Sequence, residues 1–389
     1  MAKTKGIFEL SELENGLKNL AKSSILSQSP FAKVDEWIST GNYLLNAQIS
    51  ASIFKGIPTG RVTTFSGPTS TGKTFLALNC ASQAQKQGYT VFWLDTEGAL
   101  TLDGALKFGI DPEKLNHVSI NTVEDTNTYI KNLLNLLLKA KEEGKETPKI
   151  MLVLDSLGNL STDKEMEDTA SGSGKADMTR AKMIRKLFRV ITADLAILQI
   201  PFIVINHTYE AVGSFISQTV MSGGGGILYN SSLTLQFTKA QLKETSGEKV
   251  GIIITSKVTK SRFTKENIPI KLQIRFDRGM NRYVGLTNYS DWENIGIASG
   301  KLEGDVFKAS DSSLYFAVKH LNKNIRKTKI FTSEVFTQEI LQKLESKMAP
   351  VFGFNAAMDD DYETLSALIN ESIIENSIAT VEDTDEEEL

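Results

Sequence analysis

Val62-Thr-Thr-Phe-Ser-Gly67-Pro68-Thr69-Ser70-Thr71-Gly72-Lys73-Thr74 decides the fold. A short apolar, β-branched run feeds directly into a glycine-spaced loop that ends in Gly-Lys-Thr and opens a helix-forming segment. This is the full phosphate-loop pattern in its proper strand-loop-helix context. Each residue type has a reason to be there. The two glycines let backbone amides wrap a β-phosphate, Lys73 brings a cation to the β and γ oxygens, and the Thr74 hydroxyl can ligate Mg2+.

Outward from this loop the chain alternates between strand and helix patterns, which predicts a mostly parallel sheet. Strands are expected at Val62 to Ser66, Thr90 to Asp95, Ile150 to Asp155 and Phe202 to Asn206. Past Gly226 the pattern becomes period-two at Leu233 to Phe237, Gly251 to Val258 and Ile270 to Phe276, so the sheet should finish with antiparallel strands. The expected organisation is an N-terminal helix and strap (1–35), an α/β core (36–287), a small mixed or helical C-terminal domain (288–375) and an acidic disordered tail (376–389). In the first segment Leu10, Leu13, Leu17 and Leu20 repeat at helical spacing behind a Ser11–Glu14 capping box. Ser23 to Pro30 reads as a flexible strap.

Composition narrows the function classes. With 41% hydrophobic and 23% charged residues the chain matches an ordinary globular protein. It carries no apolar run near the roughly 18 residues of a membrane span, so a cytoplasmic location is expected and a membrane partner is not. One cysteine among 389 residues excludes an internal disulfide and a multi-cysteine zinc site. Cys80 falls with Ala77, Ala81 and Ala84 on an apolar helix face, which assigns it to packing. A net charge of −4 argues against a monomer that grips nucleic acid through an extended basic surface.

Two carboxylates belong with the phosphate loop. Asp155 ends the apolar run Ile150-Met-Leu-Val-Leu154, where an acid can hold Mg2+ through water. Alone, such an Asp could equally cap the next helix. Asp95-Thr96-Glu97 closes the strand that follows the phosphate-loop helix, and Glu97 there could polarise an attacking water. Spacing alone leaves Glu97 open as a solvated loop acid.

These motifs, with Trp37-Ile-Ser-Thr-Gly41, Asp155-Ser-Leu-Gly-Asn-Leu160, Asp177-Met-Thr-Arg-Ala-Lys182 and Ile205-Asn-His-Thr-Tyr-Glu210, resemble the RecA-type recombinases, and their phage UvsX branch above all. The resemblance runs over most of the core and implies a RecA-like P-loop NTPase fold. It implies a DNA-dependent ATPase that exchanges strands as a helical filament on single-stranded DNA, taking up homologous duplex DNA. ATP and Mg2+ would be its cofactors, and mediator and single-strand-binding proteins its partners, in the bacterial host's cytoplasm.

By the same resemblance Glu97 would activate water, and His207 would sense the γ-phosphate. Lys260 and Arg262 would reach into a neighbour's site, although by sequence alone they read as exposed loop charges. One position departs from the family: Leu102-Asp-Gly104 stands where relatives place a ring against adenine. The DNA loops would be Ser161 to Ala176 and Thr208 to Gly226. The second offers Gly223, Gly224 and Gly225 as backbone donors and Phe215 and Met221 as wedges. The first is acidic, and the helix after it compensates with Arg180, Lys182, Arg185, Lys186 and Arg189, which a solvated helix face would also explain. A hexameric helicase of the same core and a mediator that binds nucleotide without turnover are the rival readings.

Overall fold

The computed structural model describes residues 26–171, 179–210, 219–221, 226–244 and 247–354. Strands β1 (Trp37–Ile38) and β2 (Ile57–Pro58) pair beside the core. The central sheet then takes β3 (Val62–Gly67), β4 (Thr90–Asp95), β5 (Leu115–Ser119), β6 (Ile150–Asp155), β7 (Phe202–Glu210), β8 (Thr219–Met221), β9 (Leu233–Lys243), β10 (Lys249–Ser261), β11 (Pro269–Arg275) and β12 (Gly279–Met280). Their order is β12-β11-β10-β9-β3-β7-β6-β4-β5, with β8 added to the end of β7. Every contact from β9 through β3, β7, β6 and β4 to β5 is parallel, and β10 to β12 are antiparallel. The expected parallel core with an antiparallel extension is therefore present. The change of direction falls between β9 and β10, so Leu233 to Phe237 belongs to the parallel part as well.

Both faces of the parallel part are covered, which is why its strands read as unbroken apolar runs. In β6, Met151 and Val153 point into one cluster with Phe65, Trp93, Cys80 and the alanines of the helix Lys73–Lys86. Ile150, Leu152 and Leu154 point into the other, against the helices Val123–Glu142 and Thr179–Leu198. Ile184, Leu187, Phe188, Ile191 and Leu195 are the buried face of the second helix, as their spacing predicts. Cys80 is fully buried.

Residues 289–353 build a four-stranded antiparallel sheet, β13 (Ile297–Glu303), β14 (Val306–Ala309), β15 (Tyr315–Val318) and β16 (Lys323–Arg326), followed by the helix Gln338–Phe352. Ile297, Val318, Leu344 and Phe352 share one apolar cluster with Leu44, Ile49 and Ile254 of the core. The C-terminal segment to Gly353 accordingly packs into the same compact unit as the sheet.

Three expectations on local structure are corrected. The strap is held over its described part: Leu26–Gln28 form a 3-10 helix and Gln199 donates to the Pro30 carbonyl (3.2 Å), while just beyond it Arg61 donates to the carbonyls of Phe31 (2.6 Å) and Lys33 (3.1 Å). Residues Asp163–Ser171 of the first expected DNA loop form a helix, with Glu165 Oε2 accepting from the Thr162 amide at 2.9 Å. The strand expected to stop at Asn206 runs on to Glu210, because Thr208 to Glu210 pair with Thr219 to Met221. The amino-terminal leucine helix, Phe215, Gly223, Gly224, Gly225 and the acidic tail lie outside the described residues.

Gln48 shows how the helix Tyr43–Ser50 is locked to the sheet. Its buried amide donates to the carbonyls of Ser256 (3.0 Å) and Ile268 (2.8 Å) and accepts from Ser256 Oγ (2.6 Å). Gln48→Ala strands these groups without partners and is expected to destabilise the protein by about 2–4 kcal/mol, measured by urea unfolding.

Candidate active site

Four neighbouring strands, β3, β7, β6 and β4, run parallel and end together, and their carboxyl ends carry the sequence-predicted residues. Register does the placing: Gly67 lies beside His207, and Asp95 beside Asp155. The crevice beyond the carboxyl ends of a parallel sheet is where ligands of such folds bind. Thr69, Ser70, Gly72, Lys73, Thr74, Glu97, Asp155 and His207 line an open cavity there of about 270 Å³.

The glycines are required by space as well as by conformation. Gly72 has φ +87, and a Cβ there would sit 2.7 Å from Ile254 Cδ1; a Cβ on Gly67 would sit 2.5 Å from the Phe237 carbonyl oxygen. Thr71 Oγ1 donates to the Pro68 carbonyl (2.9 Å) and closes the loop. Lys73 Nζ donates to the carbonyls of Gly67 (2.9 Å) and Pro68 (2.8 Å), so the ammonium points into the cradle that the loop forms.

Thr74 Oγ1 donates to Asp155 Oδ2 at 2.9 Å. A hydroxyl and a carboxylate so joined are the hard-oxygen pair that Mg2+ takes when it keeps most of its water. The electrostatics ask for such a cation. Burial pushes the Asp155 carboxyl up to about 6; the Thr74 hydroxyl opposes this, while the charges of Glu97 and Asp95 reinforce it. Burial likewise pulls the Lys73 ammonium down to about 8, against the pull of Asp155 and Glu97.

Glu97 is held from two sides. Ser156 Oγ donates to its Oε1 at 2.8 Å, and His207 Nε2 lies 3.1 Å from the same oxygen. The other ring nitrogen, Nδ1, lies 3.5 Å from Lys73 Nζ. His207 thus stands between the Lys73 ammonium and the Glu97 carboxylate. Sequence reasoning gave no role to Ser156, nor to Thr96, whose hydroxyl donates to the Ser156 carbonyl (3.0 Å) and accepts from the Ser156 amide (2.8 Å). It also passed over Lys239, which donates to the Thr69 carbonyl at 3.3 Å from a strand distant in sequence. Nothing in the local sequence marks these contacts, because strand register creates them.

Lys260 and Arg262 lie elsewhere. Lys260 and Ser261 pair with Thr234 and Leu233, which lie beside Thr64 and Thr63 where β3 begins, whereas the phosphate loop starts where β3 ends. Three or four residues of strand, about 10–13 Å, separate the two levels. Lys260 Nζ donates to the Tyr229 carbonyl (3.1 Å). Arg180 is also turned inward, donating to the carbonyls of Leu157 (3.4 Å) and Gly158 (2.5 Å), while Lys182, Arg185, Lys186 and Arg189 are exposed. Leu102 opens the helix Leu102–Lys107 with 61% of its surface exposed, so no ring covers a nucleotide base at that position.

Comparison with known proteins agrees with this geometry. The family model for the RecA N-terminal domain matches residues 10–281. The chain belongs to the RecA family. It is 31% identical over 282 residues to the "Recombination and repair protein" of Enterobacteria phage T4, covering 71% of this chain and 70% of that one. It is 30% identical over 299 residues to the "Protein RecA" of Thermus aquaticus, covering 75% and 82%. The corresponding protein of Mycoplasma genitalium is 31% identical over 282 residues, covering 68% and 78%. Among the described residues no helix is long and apolar enough to cross a membrane.

Asp155 sets a testable pH dependence. Its folded pKa lies above its ordinary 3.8, so its contribution to stability is present in acid and is lost as pH rises through about 6. Asp155→Asn is therefore expected to raise the melting temperature at pH 8 without ligand by roughly 2–4 °C per kcal/mol gained, while abolishing the Mg2+-dependent thermal shift given by ATP. In the wild type that shift should weaken as pH falls below about 6, since protons compete with the cation.

Proposed function

We propose that this RecA-family member is a DNA-dependent ATPase that exchanges DNA strands in recombination and repair, assembled as a helical filament on single-stranded DNA. The observation that carries this is the convergence of Lys73, Thr74, Asp155, Glu97 and His207 on one cavity at the ends of adjacent parallel strands. Thr74 and Asp155 would hold Mg2+, and Lys73 with the amides of Gly67 to Thr74 the phosphates of ATP. When bound, these two supply an activated phosphoryl group whose charge the metal offsets. Glu97 would orient the attacking water and take its proton; Ser156 would fix its carboxylate, and His207, now 3.1 Å from it, would leave it for a terminal phosphate.

One protomer provides only part of such a site. The cavity, about 270 Å³, falls just short of ordinary ligand pockets, which run to roughly 300–1,000 Å³. Lys260 and Arg262 lie too far down the sheet to serve their own phosphate loop, which suits cations offered to the next protomer. In the filament the exposed Lys182, Arg185, Lys186 and Arg189 would repeat along one strand and gain affinity by multivalency. Met221, with Phe215 and Gly223 to Gly225, would add sequence-independent contacts, and Arg180 would brace the turn after Asp155. Homologous duplex DNA is the second substrate, and mediator and single-strand-binding proteins are the expected partners. The family membership disfavours the helicase alternative.

Phosphate release with and without single-stranded DNA tests this. Wild-type turnover should rise strongly with DNA, and Lys73→Ala should lower it by at least about a hundredfold. Turnover indifferent to DNA would sink the reading. A second prediction addresses the shared site. Lys260→Ala and Glu97→Gln proteins should each retain only a small residual turnover, yet an equal mixture should regain activity at about one interface in four, since head-to-tail assembly then pairs an intact Glu97 with an intact Lys260.

A further inference from the structure

We propose that Asp95 and His117 form a positioning pair that fixes the turn carrying Glu97, so that His117, on the neighbouring strand, is a positioning residue for ATP hydrolysis. This rests on Glu97 being the group that orients the attacking water.

Asp95 is a buried acid, 3% exposed. Its two oxygens are used on the turn that follows it. Oδ1 accepts from the amides of Glu97 (2.9 Å) and Gly98 (2.8 Å), and Oδ2 accepts from the amide of Leu100 (3.3 Å). A carboxylate that collects three backbone donors of one turn dictates the path of that turn, and hence where the Glu97 side chain starts.

The fourth donor comes from outside the turn. His117 projects from β5, and its Nε2 lies 3.0 Å from Asp95 Oδ2. Because an ionised carboxylate only accepts, Nε2 carries the proton in this contact. Burial opposes ionisation of Asp95, and these four donors outweigh it, holding the carboxyl below its ordinary range. Ionisation matters to the geometry: a protonated Asp95 would turn a hydroxyl toward an N–H and release one side of the turn.

The imidazole is nearly half exposed, with 46% of its side chain accessible. It adds little to the core, so its contact with Asp95 can be removed without unfolding the sheet. Thr96 stitches the same turn to β6 through the Asp155 and Ser156 carbonyls, which leaves Asp95 and His117 to hold it on the β5 side.

The experiment is steady-state ATP hydrolysis on single-stranded DNA by His117→Leu, His117→Gln and Asp95→Ala, each also placed in a Glu97→Gln background. His117→Leu should lower kcat about three- to tenfold, and Asp95→Ala about a hundredfold, as expected for small displacements of a reacting group. KM for ATP, filament formation on DNA and the melting temperature of His117→Leu should match the wild type. His117→Gln, whose side-chain amide can reach Oδ2, should recover most of the rate. In the Glu97→Gln background His117→Leu should have no further effect on residual turnover. An unchanged kcat in His117→Leu, or the same fold-loss with and without Glu97, overturns the proposal. If Glu97→Gln alone hydrolyses ATP at the wild-type rate, it is the assignment of Glu97 that falls, and the positioning role with it.

Discussion

Lys73, at the start of the helix that follows β3, and Asp155, at the end of β6, are both buried, and neither is fully compensated there. Burial draws the ammonium down toward about 8 and the carboxyl up toward about 6, so each is pressed toward losing its charge. The protein can keep such a pair because the surrounding sheet is close-packed and covered on both faces, so that the groups meet solvent only through the cavity they line. A triphosphate with its metal, as proposed for this site, would relieve both at once, offering anions to the lysine and a cation to the aspartate. Ligand binding there would be coupled to the stability of the sheet itself, and a bound nucleotide could redistribute conformations from this site.

What could be read from the sequence follows from how far each signal reaches along the chain. The phosphate loop is a contiguous device, in which strand, glycines, Lys73 and Thr74 are adjacent, and its geometry follows from local rules. The apolar run ending in Asp155 was legible for the same reason: a strand buried on both faces has no alternation to obscure it. Strand β5 was missed because Leu115-Asn-His-Val-Ser119 lies at the edge of the sheet, largely exposed, and has the composition of a loop. The helix Asp163–Ser171 was missed because its acidic residues suggested an unfavourable DNA loop rather than a helix whose first turn welcomes negative charge. The contacts of Ser156, Thr96 and Lys239 bridge 59, 60 and 170 residues of chain, distances over which a pattern of residue types carries no register.

Arg180 shows how a charge can mislead. Counted with its neighbours it belongs to a basic stripe, yet its guanidinium is half-buried and used on the carbonyls of Leu157 and Gly158. Only the helix face sets these apart: Ile184, Leu187 and Phe188 face the core, Lys182, Arg185, Lys186 and Arg189 face solvent, and Arg180 sits where the helix starts against the turn after Asp155. A cation count along the sequence weighs all five alike, whereas desolvation separates one from four.

That placement joins the two halves of the site. The turn braced by Arg180 leaves β6 directly after Asp155 and Ser156, and Ser156 holds the Glu97 carboxylate. A displacement at the start of the Thr179–Leu198 helix thus has one short hydrogen-bonded route to the groups around the phosphates, and a displacement at the phosphates has the same route back. Linkage requires that any such effect be mutual, so DNA that favours one position of the helix must raise nucleotide affinity by the factor that nucleotide raises DNA affinity. With a net charge of −4 and four exposed cations on this helix face, a single protomer has little hold on a polyanion. Assembly along a strand, as proposed, would multiply both the contacts and the coupling, and so turn a weakly binding acidic chain into a strong one.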